Sequence, residues 1–386
     1  MRRRDLTEKL SGEWRLLPVL ATLALIWLFF ATQSDAFLTA RNLSNLSQQI
    51  AVTAIIALAL VFVLILAEID LSVAVLSAVC GAVTAKLVVE SGMPAVPAII
   101  IGVAVGTGVG AIQGGIVTTF GAPAFIVTLG GSLALQGVLL QVLPADTGIV
   151  PLSDTSLAGI ANDYLSDVVG YALAAVLAVL VAALRWQGYR SRVREGLPAD
   201  LGRSVGAPVA AVLVLGVALV AMFNAYQGVP GPIAILAVLL VVFSYVTTQT
   251  RWGTHLYAIG GNAEAARRAG IHVSRVTLTA FMLVGALVAV GGIVAASRQL
   301  GVSAQSADST LVLEAVAAAV IGGASLFGGR GSVWAALFGA LIIGSIANGL
   351  ALLNATTQVR LEVEGGILVA AVVIDALIVR GRLRSP

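Results

Sequence analysis

RWGTHLYAIGGNAEAARRAGIHVSR, residues Arg251 to Arg275, is a polar island in a chain otherwise dominated by long apolar runs. It contains both histidines of the chain, His255 and His272. The flanking sequence turns apolar for about 20 residues at a time, the length a helix needs to cross a bilayer. Within the island the residues predict a short helix. Asn262 is a good N-cap, and Glu264 lies in the first turn, at the positive end of the helix dipole. Arg267 and Arg268 lie toward the other end, and Gly270 can take the left-handed stop position. Two turns fall short of the ~12–15 residues that persist alone in water, so this helix requires something to dock on. Ala263, Ala265, Ala266 and Ala269 give it a small-residue surface for close approach. On residues alone, an ordinary capped loop helix is an equal reading.

The rest of the chain decides the class. Of its 386 residues 59% are hydrophobic and 11% charged, against about 25% charged in a soluble domain, and the mean hydropathy is +1.02. These values exclude a soluble fold. The expected fold is an all-α polytopic membrane protein, one membrane domain over residues 1–386. The net charge of +3 does not point to nucleic acid, because the basic residues lie in loops beside apolar segments and report topology. The lone cysteine, Cys80, sits in an apolar run and offers neither a disulfide nor a metal cluster. The basic start MRRRDLTEKLSGEWR has no obvious small-residue cleavage site, so Leu16–Ala31 reads as a retained first span.

Twelve apolar segments are candidates for spans: Leu16–Ala31, Gln49–Ala67, Leu71–Val89, Pro97–Phe120, Ala124–Leu143, Val168–Leu184, Ala207–Tyr226, Pro232–Thr248, Thr277–Ala296, Ser309–Phe327, Val333–Leu353 and Gly365–Val379. With the amino terminus inside and strict alternation, 18 of the 22 Lys and Arg fall on the inner side. Only Arg41, Lys86, Arg298 and Arg360 remain outside. The positive-inside rule then places both termini and the 251–275 island in the cytoplasm. Gly102, Gly106 and Gly110 form a stripe in the fourth span, as do Ala335, Gly339 and Ala340–Gly344 in the eleventh. Both read as helix-packing faces. Two interruptions stand out: AEIDLS at Ala67–Ser72, carrying Glu68 and Asp70, and GGASLFGGRGS at Gly322–Ser332. Broken helices at membrane depth are tolerated only where they are buried in protein or line a cavity, as a translocation pathway requires.

There is no G-x-x-x-x-G-K-[ST] phosphate loop, so no nucleotide is bound by that device. No residue cluster has catalytic or metal-ligand spacing. Glu314 and Asp375 are the clearest ionisable residues inside spans and are pathway candidates by default. Asp375, near Arg380, Arg382 and Arg384, reads as an ion pair or a snorkelling group; Glu314 reads as either a pathway residue or a structural pair. Gln113, Thr128, Gln136, Asn348 and Asn354 either line a path for a hydroxylated solute or hold helices together.

At this point four ordered blocks resemble a known family. The island YAIGGNAEAARRAGI (Tyr257–Ile271) resembles the coupling segment of ribose/xylose-type sugar ABC transporter permeases. EIDLSVA (Glu68–Ala74), PAFIVTLGGSLALQG (Pro123–Gly137) and LEAVAAAVIGGASLFGGRGS (Leu313–Ser332) agree in order, and ANGLALL (Ala347–Leu353) looks like the family's closing polar patch. An insert, RWQGYRSRVREGL (Arg185–Leu197) through YQGVPGP (Tyr226–Pro232), makes the chain most similar to the D-xylose branch: an added pair of spans on a ten-span core, with residues 185–231 holding the Arg-rich cytoplasmic loop between them and an added span, about twelve spans in all. Many members carry Arg at Gln136 and Asp at Glu314. The resemblance implies an importer subunit of the bacterial inner membrane without its own ATPase site. Gly261, Asn262, Glu264, Ala265, Arg267, Arg268 and Gly270 would couple to a separate cytoplasmic ATPase that carries ATP and Mg. No cofactor would be bound by this chain. An extracytoplasmic sugar-binding protein would deliver the solute, and the permease would be a homodimer. Glu68, Asp70, Gln113, Thr128, Gln136, Glu314 and Asn348 are the expected path residues. The competing reading is a twelve-span secondary sugar transporter, which would need embedded coupling charges that are sparse here.

Overall fold

The computed structural model describes residues 17–197 and 200–383. The arginines of the amino-terminal fifteen residues and Arg384 lie outside the described residues, as do the side chains of Asp375, Arg380 and Arg382.

Each of the twelve apolar segments contains a helix. These are α1 (Leu17–Gln33), α2 (Ala40–Ile65), α3 (Val73–Val89), α4 (Ala95–Phe120) and α5 (Ala124–Val142), then α7 (Asp167–Arg194), α8 (Ala207–Asn224) and α9 (Gly231–Gln249). The last four are α12 (Val273–Arg298), α13 (Ser309–Ile321), α14 (Val333–Leu352) and α15 (Thr357–Leu383). Short α6 (Gly159–Asn162) lies in the connection before α7, and α10 (Arg251–Gly261) and α11 (Ala263–Arg268) form the polar island. Among the described residues, nine helical stretches are long and apolar enough to cross a membrane, and α1 and α3 are shorter apolar helices. Two expected spans are therefore corrected in length. At 17 residues, α3 is about 25 Å long, and it is a core helix buried along most of its length. The tenth helix ends at Ile321 rather than Phe327, because Gly323 takes φ +109° and turns the chain.

α2 is the axis of the bundle. From Ala54 to Ile65 every residue is 1% exposed or less. A helix apolar on all sides has no reason to face water, and here it is enclosed by α9, α12, α13 and α14. α12 packs along α4 through the glycine stripe. A side chain at Gly106 would strike the Gly285 carbonyl, and one at Gly110 the Phe281 carbonyl. The eleventh-span stripe does the same work: Gly339 lies against the Ala318 backbone of α13, and Gly344 against Ile50 of α2. Such close approach supplies the dispersion contacts that replace hydrophobic drive inside lipid. The α7–α8 pair stands at the edge, with its own small cluster of Ala174, Val220, Phe223 and Val229.

Contacts between connections sort the two ends of the bundle. β1 (Ile149–Pro151) pairs antiparallel with β4 (Gly301–Ser303), and β2 (Tyr164–Leu165) with β3 (Val229–Pro230). Both ladders join connections that the charge rule assigns to the outer side. Lys86 donates to the Val142 carbonyl at 3.0 Å at that same end. At the opposite end, α10 meets the end of α2 and the glycine-rich loop.

Candidate translocation site and coupling segment

The island folds as the capping residues predict, and it contains one helix more. Thr250 accepts from the Gly253 N–H and starts α10, whose Leu256 and Ile259 are buried. Trp252, Leu256 and Ile259 repeat at helical spacing across this supposedly polar stretch, a signal outweighed by the charges around it. Asn262 then caps α11, its side-chain oxygen accepting from the Ala265 N–H at 2.9 Å. Glu264 pairs with Arg267 at 2.8 Å and Arg268 at 3.1 Å, and Gly270 takes φ +85°. Only Ala266 of α11 is buried in this chain. Gly261, Asn262, Glu264, Ala265, Arg267, Arg268 and Gly270 all face out.

The island is seated on the two interruptions. The Gly329 N–H donates to the Ile65 carbonyl at 2.8 Å, and the Tyr257 hydroxyl donates to the Gly331 carbonyl at 2.9 Å. A side chain at Gly260 would collide with the Ile65 carbonyl and the Gly329 nitrogen. The end of α2, the island and the glycine-rich loop thus form one junction, which three sequence-distant segments build together.

Beyond Ile65 the chain breaks at Ala67, at φ +61°, and runs to Ser72 before α3 starts. Asp70 and Ser72 of this break are buried, and their polar groups are satisfied within the protein. Asp70, 1% exposed, accepts from the Ser72 N–H at 2.8 Å and the Ser72 hydroxyl at 2.7 Å. Gln113 of α4 donates to the Ser72 hydroxyl at 3.1 Å. The Leu71 N–H donates to the Thr128 hydroxyl of α5 at 3.1 Å. Asp70, Gln113 and Thr128, expected as path residues, therefore form one knot that pins the break to α4 and α5. Glu68 sits beside it, half-buried.

The other expected residues lie elsewhere. Asn348 is buried and exchanges hydrogen bonds with Asn42 at 2.9 and 3.1 Å, locking α14 to the start of α2. Gln136 is exposed on α5, outside the knot. Asn354 is an exposed residue at φ +56° just past α14.

Glu314 lines a polar cavity of about 350 Å³ between α2, α3, α12, α13 and α14. Thr53 of α2 lines the same cavity. Gln49, Arg298, Gln299, Gln305 and Asp308 share the wall; none was a path candidate in the sequence, where Arg298 stood only as an outer-side base. Gln49 and Thr53 were legible in part, since they are four apart on one face where the polar first turns of α2 give way to apolar residues. The remaining four come from the α12–α13 connection, whose folding back over the cavity has no local signature. The cavity falls within the ~300–1,000 Å³ typical of small-molecule sites. It lies toward the end that carries the β ladders. Toward the other end, α2 is fully enclosed from Ala54 to Ile65, so no opening continues to the junction along this helix.

A bundle of apolar helices around a broken core helix, with a polar cavity at one end and an exposed capped helix at the other, defines a multi-pass membrane permease. Residues 42–372 match the family described as branched-chain amino acid transport system / permease component, and the chain belongs to that family. It is 40% identical over 362 residues to the xylose transport system permease protein of Haemophilus influenzae, covering 92% of this chain and 95% of that one. The corresponding protein of Escherichia coli is 38% identical over 359 residues, covering 93% and 91%. The ribose import permease protein of Escherichia coli is 31% identical over 364 residues, covering 93% and 92%. No solved structure matches the chain.

Proposed function

We infer that this chain is the membrane-spanning subunit of an ATP-driven sugar importer in the bacterial cytoplasmic membrane, and that a pentose of the xylose type is its substrate. The observation that carries the reading is that α2 serves both ends: its Gln49 and Thr53 line the polar cavity, and its Ile65 forms the junction under α10 and α11. Displacing the island bears directly on the helix that lines the cavity. A separate cytoplasmic ATPase gripping the exposed face of Asn262–Gly270 would supply that displacement, with ATP and Mg on the ATPase. An extracytoplasmic binding protein would deliver sugar to the Arg298–Asp308 connection. The names of the relatives at 38–40% identity favour xylose over the amino acids of the family description. Alternating access then follows from two packings of the same bundle, each favoured by a different partner state. A homodimer, as the resemblance implies, would present two islands to two ATPase subunits.

The test is uptake of radiolabelled xylose, ribose and leucine into proteoliposomes holding this chain, the ATPase and the binding protein. The expected result is xylose uptake that requires ATP, the ATPase and the binding protein together. Gradient-driven uptake without the ATPase would establish the secondary-transporter reading instead.

A further inference from the structure

A second, larger cleft of about 670 Å³ separates the α7–α8 pair from α1, α2, α9 and α14. Along α9 its lining runs from Ile233 to Gln249, sixteen steps or about 24 Å at the helical rise. Volume over length gives about 28 Å² for the path open to the centre of a water molecule, about 6 Å wide; with a water radius of ~1.4 Å added on each side the walls stand about 9 Å apart. An α-helix with side chains needs ~10–12 Å, so a further helix does not fit. Lipid hydrocarbon does.

The cleft is apolar through most of its depth, with Leu43, Phe223, Leu236 and Leu240 among its walls. Arg185, Tyr245, Thr248 and Gln249 give it a polar end, while Ser47 is the polar group of its opposite end. The Arg185 end has an independent depth marker. Trp186 stacks on Tyr189 with ring centroids 5.7 Å apart, and the Arg190 guanidinium lies 5.3 Å over the Trp186 ring. Stacked Trp and Tyr beside arginines mark the membrane–water interface. Arg185 immediately precedes Trp186, so it stands at headgroup depth while it lines the cleft. Arg190, Arg192 and Arg194 follow on the same helix. Among the described residues, none of these four arginines is within 4.0 Å of a carboxylate.

We propose that an anionic phospholipid of the inner leaflet occupies this cleft, with acyl chain in the slot and its phosphate on Arg185. Basic pockets between membrane helices select acidic headgroups in this way. The lipid completes the packing of the α7–α8 pair. That pair's own apolar cluster, Ala174, Val220, Phe223 and Val229, gathers near the β2–β3 ladder, leaving the Arg185 end to be filled.

The test is native mass spectrometry of the full-length protein in detergent, supplied with equal amounts of phosphatidylglycerol and phosphatidylcholine. The expected result is one phosphatidylglycerol retained per chain under conditions that strip phosphatidylcholine. Arg185→Gln should lower that retention at least tenfold, and Arg185→Lys should keep it within about threefold of wild type. Ala237→Phe, which fills the slot, should lower it irrespective of headgroup. Equal retention of both lipids, no retained lipid, or undiminished phosphatidylglycerol on Arg185→Gln would each overturn the proposal. Should Arg185→Gln fail to fold, the wild-type lipid preference and the Arg185→Lys variant still decide it.

Discussion

The Gly329 N–H donates to the carbonyl oxygen of Ile65 at 2.8 Å, joining the glycine-rich loop to the last turn of the central helix. Gly329 reaches that carbonyl at φ +68°, a conformation that L side chains adopt rarely. Gly260 of α10 rests on the same carbonyl. A movement of the island therefore meets backbone at once, with no flexible side chain between to absorb it.

Gly260→Val follows from that contact. The added carbons have only backbone to displace, and overpacking of this kind costs about 1–3 kcal/mol. The amount of protein in the membrane should stay within about twofold of wild type while ATP-dependent uptake falls more than tenfold. Uptake normalised to membrane-inserted protein measures it, and normal uptake would remove the junction from the coupling route.

Glu264 separates coupling from stability. Its carboxylate and both its arginine partners are more than half exposed, and exposed pairs contribute about 0–1 kcal/mol. Glu264→Ala should leave the thermal unfolding midpoint nearly unchanged and abolish ATP-driven transport. Replacing Gly270, at φ +85°, by Leu should likewise abolish transport with insertion intact. Wild-type transport by either variant in proteoliposomes with the ATPase would overturn the coupling assignment.

The buried knot at the break should register in stability. Thr128→Val leaves the Leu71 N–H without its acceptor, at a cost of about 1–3 kcal/mol. Ser72→Ala and Gln113→Leu should couple by about 0.6 kcal/mol, and by no more than about 1.7, the range for interhelical hydrogen bonds in membranes. Thermal unfolding of the two single variants and the double variant gives the coupling directly. Strict additivity would mean that the bond contributes nothing.

Sidedness can be read with one thiol. Cys80 is fully buried, so the native chain should react slowly with a membrane-impermeant maleimide. Gln187→Cys, beside the Arg-rich end of α7, should be labelled in inside-out vesicles and not in right-side-out vesicles. Labelling in right-side-out vesicles would reverse the assignment of the two ends.

The local features of the island were legible because they are local. Capping by Asn262, the Glu264–Arg268 turn and the left-handed Gly270 depend on neighbours within four residues. The two interruptions were legible for the same reason, since Ala67–Ser72 and Gly322–Ser332 break apolar periodicity within themselves. Their convergence was not legible, because nothing near Ile65 specifies that Gly260 and Gly329 will meet it. The path residues divided on the same ground. Asp70, Gln113 and Thr128 stood as separate candidates, the last two either for the path or for holding helices together, and they bond to one another through Ser72 and the Leu71 backbone. Asn348 found Asn42. Glu314 alone among them lines the large polar cavity, beside Gln49, Thr53 and Arg298, to which no sequence signal pointed as a group.

Composition settled that the chain crosses a membrane many times, because insertion reads apolar length from the chain itself, and flanking charge assigned one side to the connections that the β1–β4 and β2–β3 ladders join. They could not tell core from periphery. α2 and the Gly202–Asn224 stretch are equally apolar, yet the most apolar 18 residues of the first are 89% buried and those of the second only 6%. Lipid tails and apolar side chains are equivalent surroundings for an apolar helix, so its sequence alone leaves open which of them it faces. That was decided by close packing, through Gly106 on Gly285 and Gly339 on Ala318, which draws some helices to the centre and leaves the others to the bilayer.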